Sequence, residues 1–320
     1  MKYRQVRTFS GTHTQGITQV SFSFDGMLLA SSDLSGKLCI WHSESGDLLH
    51  VYAAGTSVLS LKWLDSVTIM CGLADGTIVR LGFGEEVHVD GKWCHAYPVE
   101  HLAISGGMLA SGAHHEVFVW EISQGKCSPF ALSKMEQPTA SDDEEVLVTG
   151  LHWGMNHDRW RTLDILLITY MSQGIFVYNA QDWSILRQFS DPDLGFMASS
   201  SLSPDGFNIA VANMVNGFDV YDLDTGAVVL SLFHKVGKEY PVPVQYVHGG
   251  NAILGGSTVG MLDLWYVEGT LSRKMQTLSA HYNIECDQFL IAAGVISDNP
   301  ESPVTLWKAE EGRSRGESLL

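Results

Sequence analysis

The stretch Val20-Ser21-Phe22-Ser23-Phe24-Asp25-Gly26, followed by Leu28-Leu29-Ala30-Ser31-Ser32 and Gly36-Lys37-Leu38-Cys39-Ile40-Trp41, decides the fold. It reads as three short strands. Asp-Gly between apolar runs is the favoured hairpin turn, because glycine takes the positive φ that the turn demands. A second glycine turn at Gly36 opens the third run, which closes on an aromatic residue. The same order returns downstream in Ser201-Leu202-Ser203-Pro204-Asp205-Gly206, Ile209-Ala210-Val211-Ala212 and Gly217-Phe218-Asp219-Val220-Tyr221-Asp222. A unit that recurs in this way is a structural repeat, and its period points to the architecture.

The closing aromatic marks the period. It stands at Trp41, Trp120, Tyr178, Tyr221, Trp265 and Trp307, and Leu81 takes its place in Gly76-Thr77-Ile78-Val79-Arg80-Leu81. Successive spacings are 40, 39, 58, 43, 44 and 42 residues. Six intervals join seven units, and five of them fall at or within a residue of the ~40–45-residue period of a four-stranded propeller blade. The chain resembles the WD40-repeat family over nearly its whole length. The match is strong in period and weak in letters: Trp41 is followed by His42, Trp120 by Glu121, and Tyr221-Asp222 comes closest to the family's Trp-Asp pair.

The resemblance implies an all-β fold, a seven-bladed β-propeller of four-stranded antiparallel blades over residues 1–309. Residues 310–320 read as a polar, disordered tail. The strand-like run Tyr3–Phe9 precedes the first full unit, and the last unit stops at its third strand, Val304-Thr305-Leu306-Trp307. The N-terminal strand is therefore expected to join the last blade and close the ring, which removes exposed sheet edges. Blades of this family often hold a hydrogen-bonded set of histidine, serine, aspartate and tryptophan. Here the pieces do not coincide: His13 is matched with Ser35 at the aspartate position, Asp75 has no histidine in Ala53-Ala54-Gly55, and His281 is matched with Glu301. The expectation is blades held mainly by apolar packing.

The 58-residue interval carries two insertions. One is the acidic connection Ser133–Glu145, in which Ser141 is followed by Asp142-Asp143-Glu144 and would suit an acidophilic kinase. The other, Gly154–Thr162, reads as a loop between the first two strands of unit four, with Trp160 between Arg159 and Arg161. Tryptophan and arginine are enriched at interface hot spots, so these three are candidate partner-binding residues.

Composition limits the function. A net charge of −17 counts against nucleic acid, whose affinity comes largely from Lys and Arg on phosphates, and against anionic membrane surfaces; it mildly favours basic partners. The five cysteines form no C-x-x-C, so neither a zinc site nor a disulfide framework is indicated. The N-terminus lacks an apolar leader and no run approaches membrane-spanning length, which reads as intracellular, cytoplasmic or nuclear. No enzyme motif and no cofactor motif occurs. His114-His115-Glu116 reads as a loop with no more than one of its histidines joining Glu116, and His152 with His157 is a weak ligand pair; no metal site is assigned.

In WD40 propellers the commonest partner-binding face carries the loops before each first strand and those between second and third strands. On this chain those loops are read to hold Trp93, Tyr97, His114, Met171, Phe196, Asn213, Met214, Tyr240 and Tyr282, with Asp191, Asp193 and Glu239 nearby. Aromatic residues and Met are enriched at interfaces. The leading expectation is a non-catalytic scaffold that binds a protein or peptide, alone or as a subunit of a larger complex. A reader of basic peptides such as histone tails is the narrower alternative, and a metal-dependent propeller hydrolase the alternative of another class.

Overall fold

The Asp-Gly turns form as the sequence dictates. Gly26 and Gly206 take φ of 69° and 77°. Ser23 and Ser203 donate their hydroxyls to Asp25 and Asp205, whose carboxylates also accept the amides of Met27 and Phe207. Each turn thus links the first two strands of a four-stranded antiparallel sheet, and seven such sheets form a ring. The structure is a computed structural model that describes residues 2–84, 87–123, 126–127, 131–141, 144–158, 161–189, 195–215, 217–233, 241–257, 261–266, 269–274, 277–283, 288–294 and 302–310. No helix among them is long and apolar enough to cross a membrane.

Blade one comprises Ile17–Phe22, Leu28–Asp33, Lys37–His42 and Leu48–Ala53. Blade two comprises Val58–Trp63, Thr68–Leu73, Thr77–Phe83 and Val87–Trp93. Blade three has His101–Ser105, Met108–Ala113 and Glu116–Ser123, with its outer edge covered by two short pieces, Lys126–Cys127 and Ser133–Lys134. Blade four has Val148–Asp158, Arg161–Tyr170, Gly174–Asn179 and Ile185–Phe189. Blade five has Met197–Leu202, Asn208–Asn213, Gly217–Asp222 and Val228–Phe233; blade six has Val244–Val247, Ala252–Gly256, Met261–Tyr266 and Gly269–Lys274. Blade seven supplies Thr277–Asn283, Gln288–Gly294 and Val304–Glu310 and receives Lys2–Phe9 as its outer strand, with Phe9 opposite Val304 and Lys2 opposite Glu310. The ring closes through the N-terminal strand.

Apolar clusters fill the seven gaps between neighbouring blades. Ala30, Leu38 and Ile40 of blade one meet Val58, Leu61 and Trp63 of blade two, and Phe9, Ala292 and Leu306 of blade seven meet Val20 and Trp41 of blade one. Each middle strand is buried on both faces, so it reads as a continuous apolar run, as in Thr68-Ile69-Met70-Cys71-Gly72-Leu73. The first strands face the channel, where their outward backbone groups lack a sheet partner. Neighbouring blades supply the partners: Leu61 N–H donates to Gln19 Oε1 at 2.6 Å, Tyr246 N–H to Ser201 Oγ at 3.0 Å, Phe22 N–H to Ser279 Oγ at 3.1 Å, and Ser60 Oγ–H to the Val99 carbonyl at 2.8 Å.

Three expectations are corrected. First, blade one owns a complete hydrogen-bonded set. His13 Nδ1 lies 2.9 Å from Asp33 Oδ2 and its Nε2 2.7 Å from Ser31 Oγ, which accepts Trp41 Nε1–H at 2.8 Å. The carboxylate comes from Asp33, two residues before Ser35, and Ser35 donates to it through both amide and hydroxyl. Blade three repeats the set with His95, Ser111 and Trp120, and Glu116 from the start of the third strand provides the carboxylate at 3.1 Å. Second, the Gly154–Thr162 stretch is a strand extension: the ladder continues through Gly154↔Ile165 and Asn156↔Leu163 to Asp158↔Arg161. Arg161 opens the returning strand, while Arg159 and Trp160 lie outside the described residues. Third, His281 lies inside blade seven's first strand and packs its ring against Phe22, with centroids 5.9 Å apart.

Candidate functional site

Two kinds of connection share one end of the ring, here the front face: those leading into each first strand and those between second and third strands. On blades two to five this face carries a run of large side chains. Trp93 ends blade two's outer strand; its Nε1–H donates to the Asp75 carbonyl at 3.1 Å while the residue stays 66% exposed. Tyr97, in the following connection, stacks on His114 with ring centroids 4.7 Å apart and meets His115 edge-on at 5.0 Å. His114 takes a left-handed φ of 55°, which lets both histidine rings converge, with their Nδ1 atoms 2.9 Å apart. A straight strand would have sent them to opposite faces. His114 Nε2 reaches Glu145 Oε1 at 2.8 Å. Glu116 points instead to His95 inside blade three.

The run continues over blades four and five. Met171 and Phe196 lie on adjacent connections tied by Met197 N–H to the Met171 carbonyl, and Met214 N–H donates to the Phe196 carbonyl at 2.9 Å. Phe196 is 56% exposed and Val215 68% exposed. Gly195 leaves room for Val215, whose side chain fills the space a Cβ there would occupy. The acidic residues Asp75, Glu100, Glu144 and Glu145 stand exposed on the same face. An aromatic held by its own hydrogen bond loses little freedom on binding, so Trp93 is suited to be an anchor.

The structure divides the sequence-based candidates. Trp93, Tyr97, His114, Met171, Phe196 and Met214 share the front face. Asn213 is buried as the last residue of its strand, donating to Asp219 Oδ2 at 2.8 Å and accepting the Val215 amide at 2.7 Å, so its polar atoms serve the turn. Tyr282 lies at the opposite end of blade seven's first strand, stacked on Phe289 next to the hairpin, and so faces the back. Tyr240, Asp191, Asp193, Glu239, Asp142 and Asp143 lie outside the described residues. The acidic connection is anchored in part, since Met135 is buried in the cluster between blades three and four. Sequence reasoning missed His115, Glu145 and Val215. His95 was legible in principle, because it precedes its first strand much as His13 does.

Among the described residues no three of His, Cys, Asp and Glu are placed to hold a metal ion. Cys39 and Cys71 are buried free thiols; burial raises the Cys39 pKa to about 12 and pushes that of Cys71 higher still.

The family model of the WD domain, G-beta repeat, matches residues 3–42. That span runs from the closing strand to the third strand of blade one and contains the whole His13–Ser31–Asp33–Trp41 set. A 52-residue stretch, 16% of the chain, is 38% identical to the pre-rRNA-processing protein pro-1 of Caenorhabditis briggsae and covers 10% of that protein's length.

Proposed function

Because the chain is a WD40-repeat β-propeller, we propose that it is a protein-interaction scaffold without catalytic activity, whose front face over blades two to five docks a partner protein or peptide. The observation that carries this reading is that the exposed Trp93, Tyr97, Phe196 and Val215 all lie on one side of the disc. Exposed apolar residues on the back, among them Phe24, Val67 and Phe207, stand on separate hairpins. The acidic residues Asp75, Glu100, Glu144 and Glu145 beside the front run favour a partner segment that is basic or amphipathic, which includes the tails read by histone-binding propellers. The 52-residue likeness covers too little of the nematode protein to carry its role across.

A photo-crosslinking residue placed at Phe196 and, in a second protein, at Phe24 tests the reading in cells. A discrete adduct from position 196 and none from 24 supports it. An adduct from position 24 alone overturns it.

A further inference from the structure

A cavity of about 400 Å³ runs along the axis of the ring, bounded by the first strands of all seven blades. In a protein of net charge −17 it gathers three basic side chains from neighbouring blades. Blade two contributes Lys62, blade three His101, and blade four His152. The three are near enough to repel: Lys62 opposes protonation of His101, and both oppose protonation of His152. The other titratable group in the lining is Glu100, which leads into blade three's first strand and interacts with His114. Blades one, five, six and seven line the cavity with Thr18, Gln19, Ser199, Ser201, Gln245 and Ser279, none of which titrates.

Lys62 is the unusual member. Its backbone pairs with Met70, and among the described residues its side chain makes no ion pair and no hydrogen bond. It touches water, but the water is that of a bore ringed by protein. Confinement lowers its pKa, and burial likewise lowers those of His101 and His152, to about 4 and about 3. A cation held away from bulk solvent without a counter-charge is costly, and an anion removes that cost. Both imidazoles are already positioned, His101 through the backbone of Val148 and His152 through Ser200, with Nε2 2.8 Å from Ser200 Oγ.

We propose that the central channel is an oxyanion site, in which Lys62 pairs with a phosphate group and His101 and His152 complete its surround. The volume lies within the ~300–1,000 Å³ range of small-molecule pockets. The same chemistry serves a free phosphate compound and a phosphoryl group on a partner's side chain reaching in from the front face.

The test is calorimetric titration of the full chain with inorganic phosphate, with pyrophosphate and with a phosphoserine peptide, at constant ionic strength against chloride. The expected result is saturable binding of at least one probe at one site per chain. Lys62→Met weakens binding ~10-fold or more, while Lys62→Arg keeps it. Binding of the inorganic probes identifies a free ligand, and binding of the peptide alone identifies a partner's side chain. If Lys62→Met does not fold, His101→Gln/His152→Gln replaces it and must weaken binding of the same probe. No saturable binding by any probe, or binding that these substitutions leave unchanged, overturns the proposal.

Discussion

Blades one and two have the same strand order and opposite chemistry at the same four places. In blade one these places hold His13, Ser31, Asp33 and Trp41, a closed hydrogen-bonded set. In blade two the matching places hold Ala54, Cys71, Leu73 and Leu81, by the pairings Ile17↔Asp33 with Val58↔Leu73 and Leu29↔Trp41 with Ile69↔Leu81. All four change together, and Cys71, Leu73 and Leu81 join the apolar cluster between the two blades, with Ala54 packed against it. The lesson is one of consistency. A buried polar set is stable when every member is satisfied, an apolar set is stable without any, and a mixture leaves orphans.

That comparison can be broken most severely in blade two. Leu81→Ala opens a cavity at a fully buried position and should cost about 3–5 kcal/mol in denaturant unfolding. In blade one, Asp33→Leu removes the acceptor of His13 and of the Ser35 and Lys37 amides, and should cost about 3 kcal/mol. Adding His13→Ala removes one orphan, so the double variant should fall short of the summed single effects by about 1 kcal/mol. Cys71→Ser carries one of blade one's four polar-set residues into blade two and buries a hydroxyl in an apolar cluster, at about 1–2 kcal/mol.

The smallest effect is on pH dependence. Burial lowers the His13 pKa below its ordinary 6.5, against the pull of Asp33. Burial also pushes Asp33 upward, but hydrogen bonds from Ser35, His13 and Lys37 outweigh it and hold the carboxyl below 3.8. Both folded-state values are depressed, so the stability they confer is present above the unfolded values and is lost as pH falls. The loss begins near 6.5 for His13 and near 3.8 for Asp33. His13→Gln should flatten the first window by up to about 1.4 kcal/mol per pH unit, read from urea midpoints across the titration.

Much of this was legible in the letters. The Asp-Gly turns, the period of the closing aromatic and the partnerless third strand at Val304 are local patterns, and they carried blade number, strand order and ring closure. The polar set was missed because its geometry is not a fixed spacing: Asp33 and Glu116 supply the same carboxylate from eight and four residues before their tryptophans. The 154–162 stretch was misread as a loop because Gly154, Asn156 and Asp158 are turn-type residues that here pair in a ladder. Trp93, the last residue of its strand, and Tyr97 and Phe196 on connections all lie at the front-face end of the blades. His115 was read in a loop and Glu145 in the acidic connection, but their convergence on the His114 ring was not, since it depends on the left-handed turn at His114.

What the blades use internally also shows what they leave over. Trp41 and Trp120 are closed into networks, whereas Trp93 and Phe196 present most of their surface to solvent. The direct test is the affinity of the partner crosslinked at position 196, measured for wild type, the double variant Trp93→Ala/Phe196→Ala, and Phe24→Ala on the back, with thermal midpoints alongside. The front-face pair should weaken binding ~10–100-fold with a stability change within ~0.5 kcal/mol, and Phe24→Ala should leave binding intact. Unchanged affinity in the front-face pair, or loss of binding in Phe24→Ala, would contradict the assignment of this face.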